Sequence, residues 1–283
     1  FHPTDANTFY VGSPQGGLWK TTNNGQSYAP LTDALPYTAV GSCVVDPVEP
    51  NTIYITCGDH SGWWTYSIGV YKSTDGGTTW APTGLTYTLA QGIAMFKLLI
   101  DPFDHNLIYL AASNGVYKSV NGGVQWTKVK DGFYSDIAFE PGTSNLYAAQ
   151  HDYWGSSEIY STTNKGLNWS KLSNFNMKYN WIRLAVSPAN PSILAASNSS
   201  DNSLYVSYSK GANLNKIGNM PAQSNGNAEN AVLFISPTNA NVFYAGYVNI
   251  YKSTTGGTNW KQQTLWYGGG GYPEVHADHH NIT

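Results

Sequence analysis

The chain has 283 residues, material for one large core or two modest domains. Charged residues make up 11% against 14% aromatics, and the net charge is −3, so no basic footprint for nucleic acid exists. No apolar run approaches the ~20 residues that cross a bilayer, which argues against membrane insertion, and the abundance of Asn, Ser, Thr and Gly suits an all-β, extracellular type of surface.

In chain order, "FHPTD" opens without an initiator Met or a signal peptide and reads as a piece of something longer. A first repeat over roughly residues 1–31 ends in "WKTTNNGQSY" (19–28). The second, roughly 38–84, spells out the unit most clearly. An apolar, β-branched strand, "YTAVGSCVVDP", is followed by the turn "VEPN" and a second strand, "TIYITCG". After a loop come a third strand, "GVYKS", the turn "TDGG" and a fourth strand, "TTWAP". The order returns over roughly 93–130, 133–173, 180–218 and 230–264. The polar hairpin recurs as "YKSTDGGTTW" (71–80), "YKSVNGGVQW" (117–126), "YSTTNKGLNW" (160–169), "YVSYSKGANL" (205–214) and "YKSTTGGTNW" (251–260). Four short strands recurring about every 45 residues are the signature of a β-propeller blade. Six blades are visible, and seven or more fit a longer chain. A last inner strand over 272–283 either closes the ring against the start of the chain or begins a further blade; chain ends falling within the same turn favour the latter.

The hairpin has a local explanation. Asp75, or Asn121 and Asn164 in its place, can bond backbone N–H groups of its own turn. Gly77, Gly123, Gly166, Gly211 and Gly257 permit positive φ. Trp80, Trp126, Trp169 and Trp260 then start the outer strand and can wedge between neighbouring blades. Of two cysteines, Cys43 falls where other repeats carry Leu98, Ile137, Leu184 and Leu233, which favours free core thiols over a Cys43–Cys57 disulfide.

Ser73-x-Asp75-x-Gly77-x-x-Trp80 resembles the Asp-box, or BNR, motif. The chain is therefore similar to the BNR-repeat propellers of sialidases, sortilin-type receptors and family 74 xyloglucanases. It is most similar to large secreted BNR proteins of Bacteroidota that carry a type IX secretion sorting signal. The motif implies fold and is nearly silent about function. The resemblance to sialidases would imply three arginines around a carboxylate, and Arg183 is the one arginine present, so that bidentate grip cannot be assembled here.

In a four-stranded meander the one–two and three–four turns share one end of the sheet, and the two–three loops and inter-blade connections share the other. The long, unusual segments all fall at the second end: "GDHSGWWTYS" (58–67), "HDYWGSS" (151–157), "NFNMKYNW" (174–181) and "LWYGGGGYPEVHADHH" (265–280). They supply His60, Trp63, Trp64, Tyr66, His151, Tyr153, Trp154, Trp181, Trp266 and Tyr267 as candidate ligand contacts for sugar rings or peptide. Equally, these aromatics can cap the blades and pack on one another. His276, Asp278 and His280 alternate along a strand and could take a transition metal, though a hydrogen-bonded cluster explains the same letters. Otherwise no cofactor is expected. The family 74 resemblance implies an acid and a base carboxylate across a cleft, for which Asp59 and Asp152 are the candidates; inverting chemistry wants them about 6.5–9.5 Å apart.

The sequence thus favours a secreted or cell-surface module that binds a glycan or surface protein without catalysis. Its alternatives are a xyloglucanase-type hydrolase and a spacer in an adhesin or type IX cargo protein, which would engage that secretion machinery.

Overall fold

The computed structural model describes residues 1–13, 15–58, 66–152, 155–172, 177–178 (backbone only), 181–198, 201–221, 232–246 and 248–275. The fold is an all-β propeller of six antiparallel sheets. The described residues contain one helical turn, the 3-10 turn Leu89–Gln91. Contacts divide the chain into two compact units, Phe1–Ile137 and Ala138–Thr283.

The first sheet has three strands, β1 (Phe9–Ser13), β2 (Gly17–Thr21) and β3 (Ala29–Pro30), in that order. The second is β4 (Val40–Val45), β5 (Ile53–Cys57), β6 (Gly69–Ser73) and β7 (Ala81–Thr86), each hydrogen-bonded to the next. The third repeats this with β8 (Met95–Ile100), β9 (Ile108–Ala112), β10 (Gly115–Ser119) and β11 (Thr127–Lys130). The fourth holds β12 (Phe133–Phe139), β13 (Leu146–His151), β14 (Ser156–Thr162) and β15 (Ser170–Lys171), with the short β16 (Met177–Lys178) also pairing with β14. The fifth holds β17 (Ile182–Val186), β18 (Leu194–Asn198), β19 (Ser203–Ser207) and β20 (Asn215–Asn219). The sixth holds β21 (Val232–Ile235), β22 (Phe243–Gly246), β23 (Ile250–Ser253) and β24 (Lys261–Gln262).

Burial is graded across each blade. The second strands, "IYITC" and "IYLAA", are buried at every position, because a neighbouring blade covers each of their faces; they therefore read as continuous apolar runs instead of alternating ones. The outermost strands are largely exposed. The cores lie between blades. In the first unit Leu18 packs with Val40, Ile53 and Ile55, and Tyr54 and Val70 with Leu98, Ile108 and Leu110. In the second unit Tyr147 and Ile159 pack with Ile182 and Leu194, and Leu204 and Val206 with Leu233 and Phe243.

The polar hairpins show why their letters recur. The Ser73 hydroxyl donates to Asp75 Oδ1 at 2.8 Å and accepts the Gly77 N–H at 2.9 Å. Asp75 in turn accepts the Thr79 N–H at 2.9 Å and the Thr79 hydroxyl at 2.6 Å. Asn121 and Asn164 accept the equivalent N–H groups of Gln125 and Asn168, each at 2.9 Å. Gly77 sits at φ 95°, and a Cβ there would come within 2.6 Å of Leu31 Cδ1. The Trp80 indole N–H reaches the Leu31 carbonyl at 2.9 Å and that of Gly77 at 3.1 Å, tying the second blade to the first.

Tyrosines on second strands make similar ties. The Tyr54 hydroxyl donates to the Gly122 carbonyl at 3.1 Å, and the Tyr147 hydroxyl to the Lys210 carbonyl at 3.1 Å; both acceptors are in the next blade's polar turn. Among the described residues three ion pairs also join blades: Asp46 with His105 at 2.8 Å, Lys97 with Asp136 at 2.7 Å and Glu140 with Lys210 at 2.5 Å. Both cysteines are free thiols, and burial pushes that of Cys57 up to about 12.

In blades one, two, three, five and six the one–two and three–four turns are hydrogen-bonded to one another. The Gly76 N–H meets the Asn51 carbonyl at 2.9 Å, Gly122 meets Asn106 at 3.0 Å, and Gly256 meets Asn241 at 2.9 Å. The two–three loops consequently leave from the opposite end of every sheet.

Candidate functional site

Each unit carries loops at that opposite end. In the first unit, the neck of the 58–67 loop is tightly built. The Gly58 N–H donates to the Ala39 carbonyl at 2.9 Å, Ile68 to Cys57 at 3.0 Å and Ser67 to Ile93 at 2.7 Å. The buried Ser67 hydroxyl also lies 3.1 Å from Met95 Sδ. This neck fixes where the tip departs, and Tyr66, 39% exposed, is its first described side chain. Asp59, His60, Trp63 and Trp64 lie outside the described residues.

In the second unit, β13 ends in His151 and the chain turns through Asp152 into β14. The Asp152 N–H donates to the Ser157 hydroxyl at 3.2 Å, and its Oδ1 accepts the Gly155 N–H at 2.9 Å. The carboxylate therefore organises its own loop, as short aspartate side chains do. Tyr153 and Trp154 are outside the described residues. The connection from blade four to blade five folds back alongside: β16 pairs Met177 with Ser157 and Lys178 with Ser156.

That return delivers Trp181 onto His151. The rings stack with centroids 4.6 Å apart and an 18° interplanar angle, and the Arg183 guanidinium lies 6.0 Å from the indole centroid, within cation–π range. His151 is only 4% exposed and Trp181 8%. These two rings, expected on an open rim, are interior supports of the loop end.

Glu158, on β14, was not among the sequence candidates. It accepts the Tyr160 hydroxyl at 2.5 Å and an ion pair from Lys171. Burial first, and then this carboxylate, push the Tyr160 phenol up to about 12. The alternation Glu158-x-Tyr160 on one strand face was the available signal, and it resembles any surface pair.

The open aromatic surface of the second unit is the 265–275 loop. The Asn249 side chain accepts the Trp266 N–H at 2.9 Å, and the Leu265 N–H donates to the Pro273 carbonyl at 3.0 Å. Trp266 and Tyr267 meet edge to face at 5.3 Å and are 47% and 65% exposed. Tyr272 lies across the tetraglycine turn, with the Tyr272 N–H donating to the Gly269 carbonyl at 3.1 Å. His276, Asp278 and His280 are outside the described residues, as is most of the expected strand over 272–283. Among the described residues no three His, Cys, Asp or Glu side chains gather as a metal site. Nor is any helix there long and apolar enough to cross a membrane.

A propeller with elaborated loops at one end of its blades is a class shared by many functions. No protein-family model matches the chain. The chain is 32% identical over 120 residues to the xyloglucanase Xgh74A of Acetivibrio thermocellus, covering 39% of this chain and 14% of that protein. It is 26% identical over 252 residues to a xyloglucanase of Hypocrea jecorina, covering 75% of this chain and 28% of that protein. In structure it is similar to the GH74 xyloglucanase of Xanthomonas campestris, with a TM-score of 0.71 at 16% identity, over 93% of this chain and 44% of that one. The last likeness establishes a GH74 xyloglucanase-like propeller fold. By sequence the chain spans 14% and 28% of the length of these two curated relatives.

The relatives correct one expectation. Both sequence relatives are named as enzymes that act on a polysaccharide, which overturns the non-catalytic binding module favoured by the aromatic loops. Aromatic loops serve a hydrolase cleft as well as a binding surface, so their composition had no power to separate the two.

Proposed function

We propose that the chain is a propeller portion of a glycoside hydrolase of xyloglucanase type. The observation that carries this reading is the 252-residue similarity to the Hypocrea jecorina xyloglucanase, which runs through most of the blades instead of one motif. The reading assigns the six polar hairpins to Asp-box repeats, supported by the hydrogen bonds around Ser73, Asp75 and Gly77.

The chemistry asked of such a site is protonation of a glycosidic oxygen by one carboxylic acid and activation of water by another. Asp59 and Asp152 remain the candidates. Asp152 is supported by a fixed loop position at the correct end of its blade. Trp266 and Tyr267 offer flat, exposed faces against which the apolar face of a pyranose packs. A single arginine, already set against Trp181, fits a neutral polymer better than an acidic one. A polymeric glucan is met outside the cell, so the reading includes secretion or surface display, which fractionation of the producing cell tests.

A substrate panel checks the reaction. The natural polypeptide in full, incubated with xyloglucan, unsubstituted β-glucan, xylan and a sialylated glycan, is expected to release oligosaccharides from xyloglucan first. Release from none of them would overturn the proposal.

A further inference from the structure

We propose that the joint between the second and third blades is an acid-reinforced latch formed by Asp46 and His105. Asp46 follows β4, and its Oδ1 accepts the N–H groups of Val48 and Glu49 at 2.8 and 3.0 Å. Its other oxygen meets His105 Nδ1, in the third blade's first turn, at 2.8 Å. The Asp46 side chain is 3% exposed and that of His105 30%, so water screens this contact less than a surface pair.

The contact is not a general property of the repeat. Asp101 holds the corresponding place one blade later and accepts the N–H groups of Phe103 and Asp104 in the same manner. Its Oδ2 is buried without a hydrogen-bond partner among the described residues. Blade two alone of these two has found a histidine for that oxygen.

The surroundings set the direction of the response. Besides Asp46, the charged groups acting on His105 are Glu49 from the second blade's turn and Asp104 from its own, and both favour the imidazolium. The nearby cation Lys72 is directed at the Gly122 carbonyl at 3.4 Å and over the Tyr54 ring at 5.1 Å. The hydrogen bond to Asp46 leads these influences, and together they outweigh the opposing effect of burial and raise the His105 pKa. A histidine whose folded value is raised contributes stability that is fully present below its unfolded value of about 6.5. That contribution is lost as pH rises through the raised folded value. The other two described inter-blade ion pairs use lysines, Lys97 and Lys210, in place of a histidine. The His105 joint is the member of the three that changes charge near neutrality.

The test compares heat unfolding of the wild-type chain and His105→Asn at about pH 6 and about pH 8.5, on either side of the histidine range. Asparagine keeps a neutral donor and cannot titrate. The wild-type advantage in Tm is expected to be larger at the acid pH by about 2 °C or more. An equal margin at both would overturn the latch. Should His105→Asn fail to fold, an NMR titration of the wild-type imidazoles decides the matter: a His105 value above about 6.5 supports the proposal and one at or below it defeats it.

Discussion

Asp75 and its counterparts show how one residue type is recruited by geometry and refined by charge. Asn121 and Asn164 accept the same backbone N–H as Asp75 does, so a neutral amide suffices to shape the turn. Asp75 adds the Thr79 hydroxyl, which leads the interactions that hold its carboxyl down at about 2. Asp75→Asn should therefore lower Tm at neutral pH, and Asp75→Ala should lower it further. Because the folded value is depressed, the ionic part of this stability is present above the unfolded value of about 3.8 and is lost as pH falls towards 2. Unfolding followed against pH should show the gap between wild type and Asp75→Asn closing across that window. A gap that stays constant would mean that the charge contributes nothing. The turn chemistry was legible because all its partners lie within a few residues. The Asp46–His105 contact spans 59 positions, and nothing in either local sequence announces it.

The hairpin as an element is shaped by its neighbour as much as by its own hydrogen bonds. Gly77→Ala must hold a Cβ at φ 95° and push Leu31 Cδ1 from 2.6 Å, a combined cost of about 2–4 kcal/mol. Gly269→Ala meets a similar φ with nothing within 4 Å and should cost about 1–2 kcal/mol. Denaturant unfolding of the pair separates backbone strain from inter-blade crowding, and equal costs would contradict the packing described. Tyr54→Phe removes the hydroxyl donated to the next blade's turn and should cost about 1 kcal/mol. Strand order and hairpin position followed from the sequence because the apolar run, turn and polar box recur in register. Which blade face a loop aromatic would occupy did not follow. His151 and Trp181 carry the letters of a binding rim, yet their stack is buried, because the connection through β16 folds back over β14. That return is a tertiary event with no periodic signature.

At the scale of the whole molecule, the propeller was legible and its use was not. A radial repeat constrains cores, turns and joints, whereas chemistry rests on a few loop residues that the period does not specify. Arg183 illustrates the point: as the single arginine of the chain it argues against gripping an anionic sugar, but a negative argument could not choose between binding and cleavage. The named relatives favour the hydrolase proposal over the binding module. The most direct test is the initial rate of reducing-end formation on xyloglucan by the wild-type protein and by Asp59→Asn and Asp152→Asn. The account predicts a rate lowered by about 10²–10⁴ in at least one variant, with the fold and xyloglucan affinity retained. No reducing ends from the wild type, or full rates in both variants, would contradict it.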